Sequence, residues 1–240
     1  MNIYNESMSL VDLLFPKFCL NCSLPGAYLC PRCQNELRYF NRDRCFVCQK
    51  ASLYGLTHPS CLKKFNIDEV CFLFYYNTLL KKIIKNIKYR LATEIWKEIT
   101  KIIKPVAIER LAFYKKLSGK VYFQPIPLSL KKIRSRGFNQ ALLVTKFFKN
   151  FLNLPITDFL IRIKDTKAQA ELKTKKERYN NLRGAFKMNP AQRGHPELVS
   201  GSRIILVDDV VTTGSTVKEA AKVLKKAGAE KVYVLALAKG

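Results

Sequence analysis

The chain has 240 residues, 48% of them hydrophobic, and its 43 Lys and Arg against 18 Asp and Glu leave a formal charge of +25. That length suits one α/β domain with a small appendage, and charged or polar residues interrupt every apolar run before the roughly 18 residues that a bilayer span needs. The charge draws in phosphate-bearing partners without saying which kind, and a base composition rich in Lys and Ile codons would raise it as well.

The first twenty residues, "MNIYNESMSLVDLLFPKFCL", have no cationic leader ahead of their apolar patch and carry Glu6 and Asp12. No secretory signal is expected, and the predicted compartment is the cytoplasm, where paired cysteines hold metal more often than they form disulfides. Seven of the 8 cysteines lie between positions 19 and 61. Cys19 and Cys22, Cys30 and Cys33, and Cys45 and Cys48 form C-x-x-C pairs, and "HPSC" supplies His58 and Cys61 at the same spacing. Each such turn aims two ligands at one point, so two turns make the tetrahedral set that zinc prefers. In sequence order the sets are Cys19, Cys22, Cys30, Cys33 and Cys45, Cys48, His58, Cys61; spacing alone leaves interleaved pairing open. In a segment with few large apolar residues, structural zinc would supply most of the folding free energy, on the order of 10 kcal/mol per site. Cys71, in the apolar run "EVCFLFYY", reads as a core residue.

Further along, "VCFLFYYN" reads as a strand. "TLLKKIIKNIKYRLA" switches to helical spacing, with Leu80, Ile83, Ile84, Ile87 and Leu91 on one face and Lys81, Lys82, Lys85 and Lys88 largely on the other. The basic face reads as solvated before it reads as a nucleic-acid contact. A helix or pair of helices is predicted over roughly 93–117, broken near Pro105. "KVYFQPIP" is a short strand, and "RGFNQALLVTKFFKNFL" a helix whose start Gly137 and Asn139 mark. A polar charged stretch and the loop "KMNPAQRGHPELVSGS" follow. A strand, a helix over about 216–227 closed by Gly228, and the strand "KVYVLALA" complete the chain. Alternating strands and helices predict an α/β fold with a mostly parallel, helix-covered sheet. The expected domains are 1–66, holding the metal sites, and 67–240.

The last strand but one carries the most specific chemistry, in "IILVDDVVTTGST" (204–216). Asp208 and Asp209 emerge where open α/β sheets bind ligands. Val210 links them to Thr212, Thr213, Gly214, Ser215 and Thr216, where unpaired amides at a helix start and small hydroxyls make a phosphate pocket. Carboxylates beside an anion site suit a ligand with a phosphate at one end and hydroxyls or a metal at the other, as in a ribose 5-phosphate. No G-x-x-x-x-G-K-[ST] occurs in the chain, which removes a Walker-type nucleotide site.

This string resembles the signature of the type I phosphoribosyltransferases, which bind phosphoribosyl pyrophosphate with Mg²⁺. Taken with the cysteine-rich front, "PIPLSLKKIRSRGFNQ" and "RIKDTKAQAELKTKKERYNNLRGAF", the chain resembles the ComF (ComF/GntX) family of competence-associated phosphoribosyltransferase-like proteins over nearly its whole length. The resemblance implies a type I phosphoribosyltransferase fold behind an N-terminal double zinc ribbon. It places the pyrophosphate loop at Pro127, Leu128, Arg134, Arg136, Gly137 and Asn139, and a flexible loop at Arg162, Thr166, Gln169, Arg178 and Asn181. It implies catalytic roles for Asp208, Asp209, Arg134 and Arg136, with transfer to an unidentified acceptor. It also implies partners among single-stranded DNA and the DNA-uptake machinery; a non-catalytic DNA-handling or effector-sensing protein is the other reading. Two departures stand out: His58 replaces the usual cysteine, and the 186–204 loop is long, which predicts an exposed, non-catalytic His195.

Overall fold

Continuously apolar runs form the strands: β1 (Glu69–Tyr75), β2 (Val121–Pro125), β3 (Leu160–Arg162), β4 (Phe186–Met188), β5 (Arg203–Val211) and β6 (Lys231–Lys239). The structure, a computed structural model, describes residues 16–63, 66–89, 92–103, 105–166, 174–192 and 200–240. Its helices are α1 (Pro31–Gln34), α2 (Thr78–Tyr89), α3 (Ala92–Ile102), α4 (Pro105–Glu109), α5 (Ala112–Lys115), α6 (Leu130–Arg136), α7 (Gln140–Leu152), α8 (Lys175–Leu182) and α9 (Ser215–Lys226). No helix among the described residues is long and apolar enough to cross a membrane.

Contacts divide the chain into two units, one built from residues up to Arg38 with Asn77–Ile103, the other from Tyr39–Tyr76 with the chain from residue 104 onward. This partition differs from a cut at 66/67: the first cysteine set and the second fall in different units. In the smaller unit Leu79, Leu80, Ile83, Ile84 and Ile87 of α2 are buried, and the side chain of Asn77 caps α2 by accepting from the Leu80 amide at 2.9 Å. Of the lysines read as a solvated face, Lys81 and Lys85 are exposed. Lys82 is half-buried instead and donates to the Asn21 side chain at 2.9 Å. The Lys88 side chain and Leu91 lie outside the described residues.

In the larger unit β1, β6, β5 and β2 lie side by side in that order, all parallel. Ile204, Ile205, Leu206 and Val207 are fully buried, as a strand covered on both faces must be. Cys71 is buried, as expected of a core thiol. Burial pushes it up, well beyond the ordinary thiol range. Some elements form that the sequence pattern does not mark. The polar "LKKIRSR" stretch forms α6, capped by Ser129 and ended by Gly137 at φ 77°. Outside the main sheet, β3 and β4 pair antiparallel, Ile161 opposite Lys187. Three-residue strands carry too few residues for alternation to register.

Asp68, itself buried, accepts from the Val232 amide at 2.8 Å and from Lys225 at 2.8 Å, tying the start of β6 to α9. Next to it Glu69 is fully buried, with the Tyr114 hydroxyl 2.5 Å from its Oε2. Burial holds the Glu69 carboxyl well above the usual range, against the Tyr114 hydrogen bond. A carboxyl held neutral in the fold makes folding take up a proton. Its contribution is therefore fullest below the ordinary carboxylate value and fades as pH rises from there toward the raised folded value. Urea unfolding across pH is expected to show Glu69→Gln gaining stability relative to the parent as pH climbs from about 4 to 8. A parallel pair of curves would contradict that assignment.

Candidate functional site

Strand β5 brings Asp208 and Asp209 to its carboxyl end, both half-buried. Each turns one oxygen back on the next residue: Asp208 Oδ1 accepts from the Asp209 amide at 2.9 Å and Asp209 Oδ1 from the Val210 amide at 2.8 Å. The carboxylates are thus held at the strand end rather than in the loop that follows. In that loop Gly214, at φ 74°, is the residue before α9 and offers it no side-chain cap, while the Thr213 hydroxyl accepts from the Ser215 amide at a long 3.5 Å. The first amides of α9 consequently point outward from the positive end of a 12-residue helix. The hydroxyls of Thr213 and Ser215 lie 2.9 Å apart. Thr212 is held from its carbonyl by Lys239 Nζ at 2.9 Å.

The sequence reading passed over Lys239. Its signal was topological: β5 and β6 pair in parallel with Val211 opposite Lys239, so the last strand must end beside the loop. A lysine there braces the loop and adds positive charge where an anion would sit.

Residues of the other two motifs reach the same edge by register. Strand β2 pairs with β5, Pro125 opposite Val207, and the Ile126 amide donates to the Val207 carbonyl at 2.9 Å. Half-buried Pro127 and Leu128 therefore leave the sheet beside Asp208. Asn139 caps α7, accepting from the Ala141 amide at 3.0 Å and donating to the Ile126 carbonyl at 2.9 Å. Arg136 donates to Gln140 at 2.9 Å. Arg134 is exposed on α6. On the third motif, Arg162 donates to the buried Thr166 hydroxyl and lies over the Phe186 ring at 5.5 Å. Burial lowers the Arg162 guanidinium, with Asp208 and Asp165 opposing that and Arg136 reinforcing it. Arg162 is thus within electrostatic reach of both Asp208 and Arg136, which come from two other segments.

The second and third motifs are also joined directly: Ser129 donates to Asp165 at 2.7 Å, and Lys132 donates to the Thr166 carbonyl at 3.1 Å. Asn181 is half-buried on α8. Gln169 and His195 lie outside the described residues, and so does the side chain of Arg178.

The cysteine sets assemble in sequence order: the ligand atoms of Cys19, Cys22, Cys30 and Cys33, and likewise those of Cys45, Cys48, His58 and Cys61, all lie within 4.8 Å of one another. Either set could hold a metal ion. His58 fits the role, because its Nε2 lies 3.0 Å from the Ala51 carbonyl and must carry the proton there, leaving the Nδ1 lone pair, 3.3 Å from Cys48 Sγ, for a metal. At Cys19 burial opposes ionisation, but the amides of Cys22, Cys30 and Asn21 outweigh it and lower the thiol to about 6. At Cys33 a hydrogen bond from Asn21 favours the thiolate, but burial and the three neighbouring thiols prevail and push it up to about 12. Such a cluster cannot hold four thiolates unless a dication neutralises them.

A family model described as a phosphoribosyl transferase domain matches residues 139–240. The chain is 30% identical over 222 residues to competence protein F of Haemophilus influenzae, covering 88% of this chain and 90% of that protein. It is 27% identical over 237 residues to the DNA utilization protein YhgH of Salmonella typhimurium, covering 94% and 98%. A short match, 47% identical over 38 residues, joins it to a ribose-phosphate pyrophosphokinase of Pyrococcus furiosus and spans 16% of this chain and 14% of that protein. The fold is accordingly that of a phosphoribosyltransferase domain, and the N-terminal part of the chain, ahead of the matched residues, carries zinc-ribbon-like cysteine clusters.

Metal analysis of the purified protein is expected to find one zinc ion for each of the two ligand sets. His58→Ala should release one of them and His58→Cys should retain both. Full zinc content in His58→Ala would remove that side chain from the ligand set.

Proposed function

The chain belongs to the competence protein F family, and from that membership and the chemistry of the strand ends we propose that it binds phosphoribosyl pyrophosphate with Mg²⁺ and transfers the phosphoribosyl group to a nucleophilic acceptor in the service of DNA uptake. One observation carries the reading: two carboxylates near the end of β5 are followed, two residues on, by a glycine-containing loop that opens onto a helix N-terminus whose preceding glycine offers no side-chain cap. The amides of residues 212–216 bind the 5-phosphate, while Asp208 and Asp209 accept hydrogen bonds from the ribose hydroxyls.

Transfer breaks the bond from the anomeric carbon to pyrophosphate, which leaves with the electron pair as the acceptor's lone pair forms the new bond. Positive charge builds on the ribose between those events. Asp208 and Asp209 stabilise it, and a carboxylate preorganised before the reaction does so without reorganisation cost. Arg136 and Arg134 take up the charge of the leaving group, and Arg162, already tied to Thr166 and within electrostatic reach of Asp208, helps to orient it. Oxygen donors of Asp208 and Asp209 suit a hard dication, and Mg²⁺ bound there with the ligand supplies further neutralisation of the pyrophosphate.

The charge of +25 favours a second reading, in which the site senses the sugar phosphate while basic surface handles single-stranded DNA; such binding weakens steeply with salt. Pyrophosphate release from phosphoribosyl pyrophosphate, followed across a panel of nucleophilic acceptors, separates the two. Asp209→Asn is expected to lower the rate about a hundredfold, roughly 3 kcal/mol. Tight binding of the sugar phosphate with no turnover on any acceptor would favour the sensor. No calorimetric binding in magnesium buffer would refute both.

A further inference from the structure

The second metal cluster and the phosphate loop meet at a single aromatic ring. Phe46 lies inside the C-F-V-C turn between the ligands Cys45 and Cys48. It is 8% exposed and packs in the same apolar cluster as Val211 and Val217, the residues that bracket the loop. Its ring sits so close to Gly214 that a Cβ on that glycine would fall 2.1 Å from Phe46 Cζ. Gly214 thus answers two demands at once, a left-handed backbone and a ring pressed on its Cα. From the other side Lys218, in the first turn of α9, places Nζ 5.1 Å from the centre of the same ring.

The turn that carries this ring follows Asp43, which pairs with Arg110, and Arg44, which donates to the Gln49 carbonyl at 2.9 Å. Its neighbours Val47, Leu53, Tyr54 and Leu62 are exposed. Its polar braces are local: Gln49 Nε2 donates to the Phe46 carbonyl at 3.0 Å, and the Cys45 amide donates to the Lys50 carbonyl at 2.9 Å. The four ligand atoms of the cluster converge on this turn, and without a dication their ionised forms repel.

We propose that Phe46 is a positioning residue that couples the second metal site to the phosphate loop. Metal closes the 45–48 turn, the turn holds the ring against Gly214, and the ring fixes the backbone whose amides receive the phosphate. By linkage the coupling is reciprocal: an anion that orders the loop tightens the second metal. The effect on affinity rests on the function proposed above; the effect on loop order does not.

Hydrogen exchange read by mass spectrometry on ligand-free, zinc-loaded protein tests the coupling by itself. Phe46→Ala is expected to keep both zinc ions yet speed exchange across 212–216 about tenfold, with 204–207 and 232–237 unchanged. Cys48→Ser, which gives up the second zinc, should do the same. Phe46→Leu, which refills most of the space, should restore slow exchange. Titration of phosphoribosyl pyrophosphate in magnesium buffer should then show Phe46→Ala binding about tenfold more weakly than Phe46→Leu. Unchanged exchange at 212–216 in either Phe46→Ala or Cys48→Ser overturns the coupling, as does acceleration spread equally over the core strands. A parent protein that does not bind the sugar phosphate, with loop exchange altered as expected, overturns the proposed function and leaves the coupling standing.

Discussion

Parallel pairing of β5 between β2 and β6 is the constraint from which the candidate site follows. Because all three strands run the same way, their carboxyl ends share one edge, and whatever follows each strand in sequence arrives there. The acidic pair lies near the end of β5, Pro127 and Leu128 leave β2, and Lys239 ends β6. Reversing any one strand would send its contribution to the opposite edge, with the core equally well buried and the site dismantled.

Within that edge the carboxylates and the loop of amides and hydroxyls are kept apart by position. Asp208 and Asp209 belong to the strand and spend one oxygen each on the next amide. The loop contributes amides and hydroxyls, and the side chain that braces it from the neighbouring strand is cationic, Lys239 on the Thr212 carbonyl. Opposite charges thus occupy different positions along one edge, and neither is placed to cancel the other. The link from Ser129 and Lys132 to Asp165 and Thr166 carries the same order outward, holding the second and third motifs to each other rather than leaving two independent basic loops.

The two cysteine sets look alike in sequence and do different mechanical work. In the first, Asn21 donates to Cys33 Sγ at 3.3 Å and to Glu36 at 3.0 Å while receiving Lys82. The Leu29 amide donates to Glu98 at 2.8 Å. These contacts bind the cluster to α2 and α3. The second set sends Phe46 into the core of the larger unit, against Gly214. The difference lies in one side chain inside each turn: asparagine, which meets helices through hydrogen bonds, or phenylalanine, which meets a glycine through van der Waals contact.

Much of this was legible in the order of residues because it is governed by near neighbours. C-x-x-C spacing brings thiols together within a few residues, a run such as "IILV" is apolar enough only for a doubly covered strand, and "TTGST" must turn before a helix can begin. Those interactions span fewer than about ten residues and so leave a pattern in the chain itself. What the tertiary structure alone decided depends on residues far apart. Lys239 meets Thr212 through strand register, Phe46 meets Gly214 through packing across more than half of the chain, and the cysteine sets part company because their surroundings are completed by different distant helices. A short polar helix such as α6 and a three-residue ribbon such as β3 with β4 are likewise stabilised by what they touch. Their own residues carry too weak a preference to announce them.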